Sequence, residues 1–255
     1  MLKTAILAAE KAAHIQKENY RNLKGVMYKG AKNNVVTKVD FECERAIIST
    51  IERAYPSHGF LSEEKGTKNH KNEYCWVIDP LDGTVNYAHG FPIFCVSIAL
   101  QKNGVTEIGV IYSPILDELF TAEKGKGARL NGREMKVSQT SKLETALIST
   151  GFPYSVQKKP GDNFKHFEGF CKKAQAVRRD GAAALDLCYV GCGIYDGFFE
   201  QELFPWDVAA GALFVEEAGG KVTDYSGKTF DIFKKRIAAS NGKVHGEMLK
   251  LLKPK

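Results

Sequence analysis

An α+β fold, with an antiparallel-rich sheet in the first half and a smaller α/β second half, is predicted by three features of the 255-residue sequence. Two stretches near the start carry apolar residues at helical spacing. An Asn103-Gly104 pair sits between two β-branched runs, the strongest short hairpin signal a sequence offers. After a polar stretch at 138 to 144, short apolar runs alternate with helical patterns, which is how αβ units read.

Taken in order, residues 2 to about 24 place Leu2, Ile6, Ala9, Ala13 and Leu23 on one helical face, with Lys and Glu between them. Asp40 precedes a second such stretch at 41 to 54, where Phe41, Ile47, Ile48, Ile51 and Ala54 form the apolar side, so Asp40 is the expected N-cap. Pro56 and the following Ser57-His58-Gly59 end that helix and turn the chain. The aromatic and β-branched run Tyr74 to Asp79 reads as a buried strand that delivers Asp79 at its end. Residues 93 to 102 and 105 to 112 form the hairpin, and 119 to 123 add a strand before the turn at Gly125 and Gly127. Beyond 141 come a strand at 146 to 150, a helix near 162 to 173, a helix in 182 to 193 and a strand near 195 to 200. A strongly apolar helix then begins at Asp207 and ends at Gly219-Gly220. These elements divide the chain into 1–140 and 141–255 within one compact unit.

Hydrophobic residues make up 44% and charged residues 26%, ordinary globular usage that excludes a wholly disordered or fibrous chain. The net charge of +6 comes from scattered pairs, Lys158-Lys159, Lys172-Lys173 and Arg178-Arg179, rather than a basic stripe interleaved with aromatics. A nucleic-acid partner is therefore not expected. No apolar run approaches the ~20 residues of a membrane span, and Glu10 and Lys11 interrupt the opening apolar stretch, so neither a membrane nor a signal peptide is expected. Cys43, Cys75, Cys95, Cys171, Cys188 and Cys192 lack paired spacing and have mostly apolar neighbours. They read as buried free thiols in a reducing, cytoplasmic compartment, and Cys188 with Cys192 finds no partner pair to complete a zinc set.

The segment Asp79 to Tyr87, DPLDGTVNY, carries the chemistry. Two Asp residues three apart at a strand-to-turn junction can converge on one cation, because Pro80 restricts the backbone and Gly83 permits a tight bend. Carboxylates and carbonyls alone suit Mg²⁺ or Mn²⁺ rather than zinc. Gly83 and Thr84, if they open a helix, present N–H groups to phosphate oxygens. Turn formation and helix capping account for the same two Asp residues equally well. Adjacent Glu63 and Glu64 most often mean exposed surface, and Asp207 could serve only to cap its helix.

Together these segments resemble the inositol monophosphatase family. The matching pieces are VVTKVD at 35 to 40, SEE at 62 to 64, WVIDPLDGTVNYAHGFP at 76 to 92, GFPYS at 151 to 155, RRDGAAALDLC at 178 to 188 and the helix from Pro205 to Gly220, nearly the whole chain in order. The resemblance implies a layered αβαβα sandwich, a homodimer, and a metal site between the halves, most of whose ligands lie in the first half. It implies that Glu63, Asp79 and the Leu81 carbonyl hold one Mg²⁺, that Asp79, Asp82 and Asp207 hold a second, and that Glu63 assists a weaker third, with Mn²⁺ able to substitute. Two such ions roughly 3.5 to 4 Å apart clamp entering and leaving oxygens of an in-line displacement and acidify a water. Thr84, oriented by Asp40, and Glu63 then position that water and receive its proton. For the substrate, a small phosphorylated polyol, the implied contacts are Asp82, Gly83, Thr84, Gly181, Ala182, Ala183, Glu200 and Asp207.

The activity so implied is lithium-sensitive hydrolysis of myo-inositol 1-phosphate. Fructose-1,6-bisphosphate, another small phosphate ester or a non-catalytic binding role are the alternatives. Lys29 matches a basic residue near the family's site through a loop that aligns loosely. Arg178 and Arg179 suit either a second phosphate or the surface. Asp180 and the stretch Gln201 to Phe204 depart from the family pattern.

Overall fold

The computed structural model describes residues 1–23, 25–29, 35–157 and 163–253; the Lys158-Lys159 pair lies outside them. The first half runs α1 (Leu2–Asn19), β1 (Met27–Tyr28), β2 (Val35–Val36), α2 (Lys38–Ala54), β3 (Gly59–Ser62), β4 (Gly66–Lys68), β5 (Tyr74–Asp82), α3 (Thr84–Ala88), β6 (Cys95–Lys102), β7 (Val105–Ser113), β8 (Glu118–Glu123), β9 (Ala128–Leu130) and β10 (Arg133–Glu134). The second continues with β11 (Leu147–Thr150), α4 (Asn163–Cys171), β12 (Ala176–Arg178), α5 (Ala183–Gly191), β13 (Gly197–Gln201), α6 (Pro205–Glu217), β14 (Lys221–Thr223), β15 (Arg236–Ser240) and α7 (His245–Leu252).

An eight-stranded sheet has the order β10-β9-β8-β7-β6-β5-β3-β4, and a five-stranded sheet the order β12-β11-β13-β15-β14. The first is antiparallel except where β3 runs parallel to β5. The second mixes parallel pairs around β11 with antiparallel pairs around β15. Helices α1 and α2 cover one face of the large sheet, α5 and α6 fill the space between the sheets, and α4 and α7 cover the far face of the small one. The result is the αβαβα sandwich.

Burial on both faces explains why β5 reads as an unbroken apolar run rather than an alternating one. Trp76 and Ile78 point into the core beneath α1 and α2, while Cys75 and Val77 point into the middle layer. Opposite β6, the register shifts so that the step from Asp79 to Asp82 spans only Ser97 to Cys95. This bulge at Pro80-Leu81 bends the strand end and turns both Asp side chains out of the ladder.

The middle layer depends on close helix contact. A Cβ built on Gly211, midway along α6, would lie 2.6 Å from Leu187 Cβ and Cδ1 of α5. Gly is a poor helix former, and here it is retained for the approach it allows. Gly211→Ala is expected to destabilise the protein by about 1–3 kcal/mol through overpacking, despite the better helix propensity of Ala; urea unfolding measures it.

Three local expectations need correction. The first helix stops at Asn19, short of Leu23. Thr37, not Asp40, is the N-cap of α2: its hydroxyl accepts from Val39 N–H, and Asp40 sits at the third helical position with its carboxylate turned back onto Thr37 N–H at 2.8 Å. Cys171 is exposed and Cys192 half-buried, whereas the other four cysteines are buried; all six are free thiols. Among the described residues no helix is long and apolar enough to cross a membrane.

Candidate active site

A cleft of about 420 Å³ opens where the end of β5 meets the N-terminal ends of α5 and α6. Glu63, Asp79, Leu81, Asp82, Gly83, Thr84, Gly181, Ala183, Glu200 and Asp207 all line it. Glu63 arrives on the turn after β3, Glu200 from β13, and Asp207 on the first turn of α6. Two predicted residues stand apart. Asp40 lies one layer behind the wall and touches the cleft only through Thr84, whose hydroxyl is 3.2 Å from Asp40 Oδ1 and 3.0 Å from the Leu81 carbonyl. Ala182 is fully buried beneath Gly83 and is not among the residues that line the cleft.

Donors hold the carboxylates of Asp79, Asp82, Asp207 and Glu63. Leu81 N–H donates to Asp79 Oδ1 at 2.9 Å, Ala184 N–H to Asp82 Oδ2 at 2.8 Å, and Phe204 N–H to Asp207 Oδ2 at 2.7 Å. Lys29 donates to Glu63 at 2.9 Å and also to Glu64.

These bonds do not satisfy the charge. Burial raises the Asp79 carboxyl well above its ordinary range, and the charges of Glu63, Asp82 and Asp207 raise it further. Asp207 is raised by burial and then by Asp82. Burial pushes Asp82 up to about 7 against the bonds from Ala184, Ala183 and Gly83. Across the cleft, burial pushes Glu200 up to about 8, with Arg179 opposing the shift.

Hard oxygen donors that destabilise one another's anionic form fit a divalent cation in kind, because a cation is what removes their shared cost. Among the described residues no three His, Cys, Asp or Glu side chains are arranged closely enough to hold an ion as they stand. Glu63, Asp79, the Leu81 carbonyl, Asp82 and Asp207 are the groups that could hold ions here.

A model of the inositol monophosphatase family matches residues 1–254. The chain belongs to that family. The inositol monophosphatase structure from Anabaena superposes with a TM-score of 0.91 at 44% identity, covering 98% of this chain and 94% of that one. An inositol-1-monophosphatase of Synechocystis is 42% identical over 228 residues, 89% of this chain and 79% of its own. A protein of Vibrio cholerae named Nus factor SuhB is 44% identical over 252 residues, 94% of this chain and 91% of its own. Inositol monophosphatases are phosphatases, generally metal-dependent, with small phosphorylated substrates.

Within this member of the family, the braces behind the cleft escaped the sequence reading. Gln16 of α1 donates from Nε2 to the Pro80 carbonyl at 2.8 Å, and the Tyr87 hydroxyl donates to the Gln16 carbonyl at 2.8 Å, so α1 clamps the bulge from behind. Asn86 donates from Nδ2 to the Ile93 and Asp180 carbonyls, both at 2.7 Å, and so joins the two halves at the cleft. Gln16 had a legible signal, a polar residue on the stripe of Ala5, Ala9 and Ala12. Asn86 had none beyond its place in the motif. Arg179 lines the cleft, while Arg178 is exposed on β12.

Proposed function

We propose that this protein is a Mg²⁺-dependent phosphomonoesterase that hydrolyses myo-inositol 1-phosphate and related inositol monophosphates to inositol and phosphate. The observation that carries the reading is the convergence of Glu63, Asp79, Asp82 and Asp207, from three separate segments, on one cleft whose opposite wall holds Glu200. In this reading Glu63, Asp79 and the Leu81 carbonyl hold one ion, Asp79, Asp82 and Asp207 a second, and Glu63 assists a third. Bound ions would neutralise the phosphate dianion and acidify the attacking water.

The protein's own groups supply orientation. Asp40, fixed by the Thr37 N–H and hydroxyl at 2.8 and 2.6 Å, accepts the Thr84 proton and so leaves the Thr84 oxygen free to accept from a water in the cleft. Glu63, across from Thr84, receives the proton that the water loses on attack. Glu200 accepts from substrate hydroxyls, aided by backbone groups at Gly181 and Ala183 and by the Asp82 and Asp207 carboxylates. Gly83 and Thr84 hold phosphate oxygens.

The division at residue 140, supported by the two separate sheets, belongs to the same proposal. So do a homodimeric state and a cytoplasmic location, supported by the family resemblance and the free thiols.

A phosphomonoester panel assayed with Mg²⁺, with and without lithium, tests the reading. Phosphate release should require Mg²⁺, fall with lithium, and show its highest kcat/KM with inositol monophosphates. A tenfold preference for fructose-1,6-bisphosphate or a nucleotide would replace the substrate, and no release from any ester would end the phosphatase reading. The identity to Nus factor SuhB proteins favours a second, non-catalytic role. A cellular function that survives Asp79→Asn while phosphatase activity is lost would establish that role.

A further inference from the structure

Helix α2 carries a second buried carboxylate that the scheme above does not use. Glu44 stands four residues after Asp40, one turn along the same face of the helix. Its side chain is fully buried, and Oε1 accepts from the N–H groups of Glu64 and Lys65, each at 3.1 Å. Oε2 is buried with no hydrogen-bond partner among the described residues. The preceding N–H, that of Glu63, donates to the Ile78 carbonyl of β5 at 3.2 Å.

Three successive N–H groups are thus pinned, one to the strand that bears Asp79 and two to a single carboxylate on α2. The same helix fixes Thr84 through Asp40. Because a helix rises 1.5 Å per residue and is stiff, Asp40 and Glu44 lie about 6 Å apart along one rigid element that holds both Thr84 and the 64–65 N–H groups. An unpaired buried carboxylate oxygen is costly, and a simple turn could have been closed by a neutral side chain. We propose that Glu44 is a positioning residue for metal binding: it sets the backbone of the 63–65 turn so that Glu63 is held beside Asp79 at the cleft. The proposal rests on the ligand assignment given above.

Direct Mn²⁺ binding to the purified full chain, followed by electron paramagnetic resonance, tests it together with the Mg²⁺ requirement and thermal unfolding in EDTA. Glu44→Ala should weaken Mn²⁺ binding about 10- to 100-fold, the usual effect of losing a group that orients a ligand. It should also raise the half-saturating Mg²⁺ by a similar factor and lower kcat at saturating Mg²⁺, because the displaced Glu63 is also the proposed proton acceptor. Glu44→Gln keeps an acceptor oxygen for both N–H groups. It removes a buried charge whose second oxygen already lacks a partner, so it should not lose stability as Glu44→Ala does, and it should keep wild-type Mn²⁺ affinity. A purely structural role would instead order the variants by stability, with metal affinity unmoved.

Wild-type Mn²⁺ affinity in Glu44→Ala, while Asp79→Asn loses binding, overturns the inference and leaves the ligand assignment standing. Retention of Mn²⁺ by Asp79→Asn overturns the assignment and the inference with it. Should Glu44→Ala not fold, Glu44→Asp decides: its carboxylate falls one methylene short, so weakened binding supports the proposal and wild-type binding overturns it.

Discussion

Asp79→Asn is expected to lower kcat/KM for Mg²⁺-dependent phosphate release by ~10³-fold or more, equivalent to about 4 kcal/mol of transition-state stabilisation. Asp79 is the group shared by both proposed ion positions, and it lies at the bulge with 2% of its surface exposed. An amide there keeps the shape and the bond from Leu81 N–H but removes a negative charge. The same substitution should stabilise the metal-free protein, because it deletes a buried charge that Glu63, Asp82 and Asp207 all oppose. Opposite signs for catalysis and metal-free stability separate a ligand from a structural carboxylate. Phosphate release in Mg²⁺ and thermal unfolding in EDTA measure the two. A metal-free protein destabilised by Asp79→Asn would contradict the electrostatic account, and near-normal turnover would remove Asp79 from the site.

The second large effect is in the pH dependence of the metal-free protein. Asp82 and Glu200 have ordinary values near 3.8 and 4.5 when unfolded, and about 7 and about 8 when folded. The folded state therefore binds more protons than the unfolded one between those limits, so the stability these groups contribute is present at low pH and lost as pH rises through 7 and 8. Buried His245 has the opposite sign. Its folded value is lowered to about 4, so it favours folding above its ordinary value of 6.5 and opposes the carboxylates below it. His58 is lowered in the same sense, and both imidazoles fade as pH rises above 6.5, so from pH 6.5 to 8.5 the carboxylates dominate.

In EDTA, Tm should fall across that window by about 5 °C or more, given ~2–4 °C per kcal/mol for a chain of this size. Saturating Mg²⁺ should raise Tm most at pH 8.5 and flatten the dependence, because ions that bind only the folded state replace protons in neutralising the cleft. A metal-free Tm that rises between pH 6.5 and 8.5 would refute this assignment of charge.

Element type was legible wherever it is locally encoded. The Asn103-Gly104 turn joins β6 and β7 as expected, and both glycines of the turn after β8 take positive φ. The apolar run at 74 to 79 is the strand that delivers Asp79. Capping was misread at Asp40 because Asp at the third position and Asp at the cap leave similar traces. The bond from Thr37 N–H to Asp40 and that from Val39 N–H to the Thr37 hydroxyl distinguish them. Ala182 stands between Gly181 and Ala183, which line the cleft. The entry into α5 turns alternate side chains in opposite directions, and its Cβ goes under Gly83 instead.

Residue order alone carries the chemistry available: hard oxygen donors in Asp79-Pro80-Leu81-Asp82, a tight turn at Gly83, and the helices and strands that flank them. These follow from side-chain type and from contacts a few residues apart, which are printed in the order of the chain. Folding in three dimensions is what brings Glu63, Glu200 and Asp207 to one cleft with Asp79, places Gln16, Glu44 and Asn86 behind it, and leaves Ala182 out of its lining. Those contacts span tens to more than a hundred residues and exist because five layers stack with α5 and α6 at their centre. A residue's distance along the chain carries no record of which layer will cover it.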